Sequence, residues 1–82
     1  MHTDGNNIAG LLQEIFCREM TVAERTCQSC GHENAIGAHL LYESAGAVLR
    51  CPNCGDVGAV LIEQRAGYAV TMRGTWRMAR PA

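Results

Sequence analysis

Two Cys-x-x-Cys units constrain this chain more than anything else in it. They read Cys27-Gln28-Ser29-Cys30-Gly31 and Cys51-Pro52-Asn53-Cys54-Gly55, with twenty residues between Cys30 and Cys51. Two such pairs at about this separation are a zinc signature. Two intervening residues let the chain turn so that both sulfurs reach one ion at about 2.3 Å. Gly31 and Gly55 permit the tight turn after each pair and expose backbone N–H groups to the sulfurs. Pro52 pre-sets φ inside the second turn. The expectation is one Zn²⁺ held by Cys27, Cys30, Cys51 and Cys54. Such a site is closed and leaves no position to activate water, so the zinc is read as structural and the chain as non-catalytic. No Ser-His-Asp grouping, phosphate-cradling glycine loop or obvious carboxylate pair argues otherwise.

A chain of 82 residues needs a staple of this kind. At this length folding buries only about 60% of the unfolded surface, so metals or disulfides commonly complete the core. Met1–Asn7 carries neither a basic start nor an apolar run, so it does not read as a signal peptide. No apolar stretch is long enough to span a membrane. The expected location is the cytoplasm, where reducing conditions favour metal binding over disulfides.

The rest of the chain divides by hydrophobic period. Ile8, Leu11, Leu12, Ile15 and Phe16 form one face of a helix predicted over about residues 5–20, with Asp4 or Asn6 as its cap. From about residue 24 to 78 the period is two. Ala38–Glu43 and Ala47–Arg50 read as a hairpin around Ser44-Ala45-Gly46, and Ala59–Gln64 and Tyr68–Arg73 as another around Arg65-Ala66-Gly67. Each three-residue loop ends in a glycine suited to a left-handed conformation. In the second hairpin this length sets Gln64 against Tyr68, Ile62 against Val70 and Val60 against Met72; the expectation is that a two-residue loop sets Glu63 against Val70 and mixes the faces. Tyr68, Val70, Met72, Trp76 and Met78 would then share a face for the helix to cover, with Phe16 and Trp76 the bulkiest partners. Gly74 is a candidate bulge. The predicted fold is a single small α+β domain over residues 1–82: an N-terminal amphipathic helix packed on an antiparallel sheet built around the Cys₄ site.

The knuckles CQSCG and CPNCG resemble those of a zinc ribbon. The opening DGNNIAGLLQEIF, the segment AGAVLRCPNCG and the late RGTWRM also resemble a family of small uncharacterised bacterial zinc-ribbon proteins. That resemblance covers nearly the whole chain and implies a cytoplasmic protein with no assigned activity. CPNCG is similar to a rubredoxin knuckle too, and a Cys₄ site suits iron, so an electron carrier is a rival. Against it stand the short distance between knuckles and the four aromatics Phe16, Tyr42, Tyr68 and Trp76, too few for an aromatic-rich core. Thioredoxin-like redox use would need a βαβ unit, and haem attachment a histidine directly after Cys30.

Net charge is −1, which gives no general attraction for nucleic acid. The distribution is uneven. Residues 1–43 carry six acids and two arginines, and residues 44–82 carry two acids and five arginines. Arg65, Arg73, Arg77 and Arg80 are candidate phosphate contacts, with Trp76 or Tyr68 available to stack on a base. The plainer reading is a solvated strand face. A protein partner, met through the ribbon face or a sheet edge, is the leading expectation for function. Among single residues, Cys17 reads as a small buried hydrophobe. His32 reads as an exposed turn histidine, His39 as a surface or edge histidine, and His2 as part of a disordered start. Thr21 and Glu24 match a capping box but precede no helical run, so they are discounted.

Overall fold

In a computed structural model, residues 3–80 are described; His2 lies outside them. The chain opens with a two-residue strand, β1 (Thr3–Asp4), where the sequence suggested only the approach to a helix. Asp4 Oδ1 accepts the Asn6 N–H at 3.1 Å and caps the next turn, as expected of it. That turn, Gly5–Ile8, is 3₁₀, and the α-helix itself (α1) covers only Ala9–Phe16. Cys17 ends it in the left-handed region, donating its N–H to Gln13 O at 2.8 Å. The helix therefore stops short of residue 20, and the turn past Cys17 leaves Met20 fully buried. Cys17 itself is exposed, not buried. It caps the helix in a left-handed conformation and so does not continue the buried apolar stripe.

Seven more strands follow, all paired antiparallel: β2 (Glu24–Thr26), β3 (Glu33–Ala35), β4 (Leu40–Glu43), β5 (Ala47–Arg50), β6 (Val57–Gln64), β7 (Gly67–Met72) and β8 (Thr75–Arg77). They form two sheets, not one. Five strands run in the order β1-β4-β5-β6-β7, and three in the order β3-β2-β8. Thr21 lies in a turn and Glu24 opens β2, so no helix follows the discounted capping box.

The first predicted hairpin has the expected loop length, since Glu43 faces Ala47 across Ser44-Ala45-Gly46. The reason differs. Gly46 does not take a positive φ. A Cβ there would come within 2.9 Å of Leu61 O, so glycine is needed for the close approach of β6. Ile36–Ala38 forms a 3₁₀ turn, which delays the strand to Leu40.

The second hairpin has a two-residue loop. Gln64 faces Gly67, Leu61 faces Val70 and Ala59 faces Met72, and this loop length sets Glu63 against Tyr68 rather than against Val70 as expected. The expected register fails because β6 is apolar on both faces, so its own alternation does not choose between them. β5 chooses: Leu49 faces Ala59 and Ala47 faces Leu61, which places these four on the buried side. Tyr68, Val70 and Met72 share that side but lie beyond its covered part, and Val70 and Met72 remain exposed. The turn at Arg73-Gly74 then carries the chain into the second sheet, so Trp76 does not continue the face of β7.

Ile8, Leu12, Met20, Ala23, Ile36, Leu41, Leu49 and Leu61 make the centre of the core. Leu11, Ile15, Phe16 and Trp76 pack at its margin, with the Phe16 and Trp76 ring centroids 6.4 Å apart. The helical stripe read from the sequence thus supplies core residues. Among the described residues, no helix is long and apolar enough to cross a membrane.

Candidate metal centre

Each knuckle is the turn of its own hairpin. The first joins β2 to β3 in the three-stranded sheet, and the second joins β5 to β6 in the five-stranded one. The two turns are built alike. Cys27 N–H donates to His32 O at 2.9 Å and Gly31 N–H to Cys27 O at 3.0 Å. The counterparts are Cys51 N–H to Asp56 O at 2.8 Å and Gly55 N–H to Cys51 O at 2.9 Å. Gly31 and Gly55 have φ of 77° and 82°, a region that costs a side-chain-bearing residue about 1–2 kcal/mol. These glycines let each chain fold back so that N–H groups face sulfur: Ser29 N–H lies 3.4 Å from Cys27 Sγ, and Asn53 N–H 3.4 Å from Cys51 Sγ.

The four sulfurs all lie within 4.8 Å of one another. Two approaches cross between knuckles: 3.6 Å from Cys27 to Cys54 and 3.7 Å from Cys30 to Cys51. A disulfide needs about 2.05 Å. A tetrahedron with metal–sulfur bonds of about 2.3 Å needs sulfurs about 3.8 Å apart, close to the two cross-knuckle distances. The cysteines are therefore positioned to bind a metal ion. Soft thiolates in this geometry suit Zn²⁺ or iron.

The electrostatics of four clustered thiols favour a cation. N–H groups of Cys30 and Ser29 pull the Cys27 thiol down to about 6. The Cys30 thiol is lowered by the His32 N–H and then the Asn53 side chain. The Asp56 N–H also acts to lower Cys54, but burial and the three neighbouring sulfurs prevail and push it up to about 12. The surroundings thus favour the thiolate at Cys27 and Cys30 and disfavour it at Cys54. A divalent ion relieves the repulsion between thiolates and releases the remaining protons.

A polar network joins the knuckles from the side. Gln28 Nε2 donates to Asp56 Oδ2 at 2.9 Å and to Val57 O at 3.1 Å, and the Ser29 hydroxyl donates to the same carboxylate oxygen. The Ser29 hydroxyl, followed by the Val57 N–H, holds the Asp56 carboxyl below its ordinary range. Arg50 Nη1 donates to Gly55 O at 3.0 Å while its guanidinium sits 5.6 Å from the Tyr42 ring centre. Gln28 reaches inward as well, accepting from Arg25. Arg25 and His39 are both buried, which corrects the surface placement expected for His39. Sequence reasoning passed over Arg25. The available signal was its position: Ala23, Arg25 and Cys27 alternate on the buried side of β2.

Two of the four C-terminal arginines are engaged in ion pairs. Arg73 lies 3.5 Å from Asp56, and Arg77 lies 3.1 Å from Glu33 while donating to Thr26 Oγ1. Arg65 lies in the β6–β7 turn and Arg80 beyond β8, both exposed. Trp76 donates its indole N–H to Arg73 O at 3.0 Å and faces Phe16. His32 is exposed, as expected.

The model of a family described as "Family of unknown function (DUF6510)" matches residues 1–82. No curated protein and no solved structure matches the chain.

Proposed function

This chain belongs to that family, and on this premise we propose that it is a structural-zinc module that performs no catalysis and binds another protein in the cytoplasm. The observation that carries the metal half is the clustering of four cysteine sulfurs within 4.8 Å of one another. Zinc is preferred because a closed tetrathiolate site in so small a core is a common way to stabilise it. The ion would have no open coordination position, so its contribution is folding free energy. Keeping four thiols reduced requires a reducing compartment.

The partner half rests on β7. It is an edge strand of the larger sheet, and Gly67–Met72 contains no charge and no proline. Val70 and Met72 are more than a third exposed on it, as is Ile62 on β6. Such an edge offers unpaired backbone groups to an added strand. Nucleic acid is less favoured, since ion pairs already engage two of the four arginines.

Metal analysis and a visible spectrum of protein from its own host test the first half. One zinc per colourless chain is expected; a red, iron-containing protein would replace this reading with electron transfer. Affinity capture tests the second. Wild type should retain a stoichiometric protein that the Val70→Lys/Met72→Lys variant loses. Equal recovery by both, or none by wild type, would sink the edge proposal.

A further inference from the structure

Arg25 is 1% exposed, and its hydrogen bonds go to neutral groups. Nε donates to Arg73 O at 2.8 Å, Nη1 lies 3.1 Å from His39 Nε2, and Nη2 donates to Gln28 Oε1. His39 Nδ1 lies 2.9 Å from Ala35 O, which requires the ring proton there and leaves Nε2 as an acceptor. The imidazole is thus neutral, and its burial and the nearby Arg25 both keep it so. Among the described residues, no carboxylate forms an ion pair with Arg25. A guanidinium keeps its charge in a protein interior, and a buried charge without a counter-charge is costly. The fold nevertheless makes room for it. A Cβ on Gly58 would come within 2.7 Å of Arg25 Cζ, so β6 carries a glycine where the guanidinium lies against it.

One hydrogen bond of the guanidinium leads toward the knuckles. Arg25 is two residues before Cys27 and hydrogen-bonds Gln28, which is inside the first knuckle. Gln28 in turn donates to Asp56 and Val57 at the end of the second. Asp56, the nearest acid on this route, already meets Arg73, Ser29 and Gln28. Four thiolates around one divalent ion leave a net charge of −2.

We propose that Arg25 is the internal counter-cation of the metal–tetrathiolate centre, a positioning residue held by His39 and Gly58 and aimed at the first knuckle through Gln28. This rests on the reading of Cys27, Cys30, Cys51 and Cys54 as a metal site. The arrangement ties the charge of the centre to the core: the guanidinium stabilises the metal-loaded anion, and the anion offsets the burial of the guanidinium.

The test uses Co²⁺ as the probe, with affinity read from its visible spectrum in competition with a chelator. Arg25→Met should weaken Co²⁺ binding by about tenfold or more, the effect usual for partners just outside a metal's ligands. The same substitution should cost markedly less in a Cys54→His background, where the centre carries one negative charge fewer. Equal losses in the two backgrounds would reduce Arg25 to a packing role and overturn the proposal. If Arg25→Met does not fold, Arg25→Lys carries the test. Near-wild-type affinity with the charge kept supports the counter-cation, and a tenfold loss in both backgrounds overturns it. Failure of the wild-type protein to take up one Co²⁺ would instead refute the metal site itself.

Discussion

Side chains with little apparent function carry much of the structure around the cysteines. Gln28 and Ser29, the two residues between the first pair of ligands, both reach Asp56 beyond the second pair. Gln28 also connects that surface to a buried Arg25 and His39. The histidine gives this buried pair a measurable pH dependence. Its burial first, and then the charge of Arg25, lower its affinity for a proton below the ordinary 6.5, despite the opposing bond to Ala35 O. An unfolded chain takes up that proton near 6.5 and the folded one resists it. Stability is therefore full above about 6.5 and falls as pH drops below it. Urea midpoints measured from pH 7.5 to 5.5, with bound metal assayed at each point, should show this decline. His39→Gln, which can still accept from Arg25, should flatten it. An equal slope in that variant would assign the decline to other groups.

At the scale of elements, the knuckles are the most legible parts and the hairpins the least. Both knuckles close with the same pair of backbone hydrogen bonds and a glycine at positive φ. A Cβ on either glycine would meet nothing within 4 Å, so the cost of adding one is purely conformational. Gly31→Ala and Gly55→Ala should each destabilise the metal-loaded protein by about 1–2 kcal/mol, and by similar amounts. Chemical denaturation checks this, and a neutral result at either site would show that its turn relaxes. The second hairpin teaches the opposite lesson. Val57–Gln64 has apolar residues in both phases, so turn length could not be inferred from matching faces. Pairing with β5 determines which phase is buried. Tyr68 shows how the helix reaches this hairpin: its hydrogen bond with Glu14, helped by burial and the nearby carboxylates, pushes the phenol up to about 12.

At the scale of the molecule, the site lies between two sheets. The β2–β3 hairpin brings Cys27 and Cys30, and the β5–β6 hairpin brings Cys51 and Cys54. A bound ion therefore joins the two sheets as well as the two turns. The molecule is flat, about 36 × 35 × 18 Å, and its core is correspondingly thin. Structural zinc supplies roughly 10–16 kcal/mol of apparent binding free energy. That matches or exceeds the roughly 5–15 kcal/mol by which whole domains are usually stable. Chelation, or Cys51→Ser, should consequently unfold the protein. Far-UV and near-UV circular dichroism report the loss, and native spectra after complete metal removal would show that the core suffices alone.

The two knuckles were legible in the sequence because their geometry is local. Two cysteines three positions apart, followed by glycine, form a knuckle largely through bonds within six residues. The apolar stripe from Ile8 to Phe16 was legible for the same reason, since helical period is a property of neighbours. The partition into two sheets, the register of β7 and the exposure of Cys17 were not. Each depends on which distant strand or turn arrives alongside, and a two-residue period cannot tell one buried face from another. Burial of Arg25 and His39 belongs to this second group. Their side chains meet only once β2, the β3–β4 turn and the β7–β8 turn converge, so only the tertiary structure could place a charge in the core beside the knuckles.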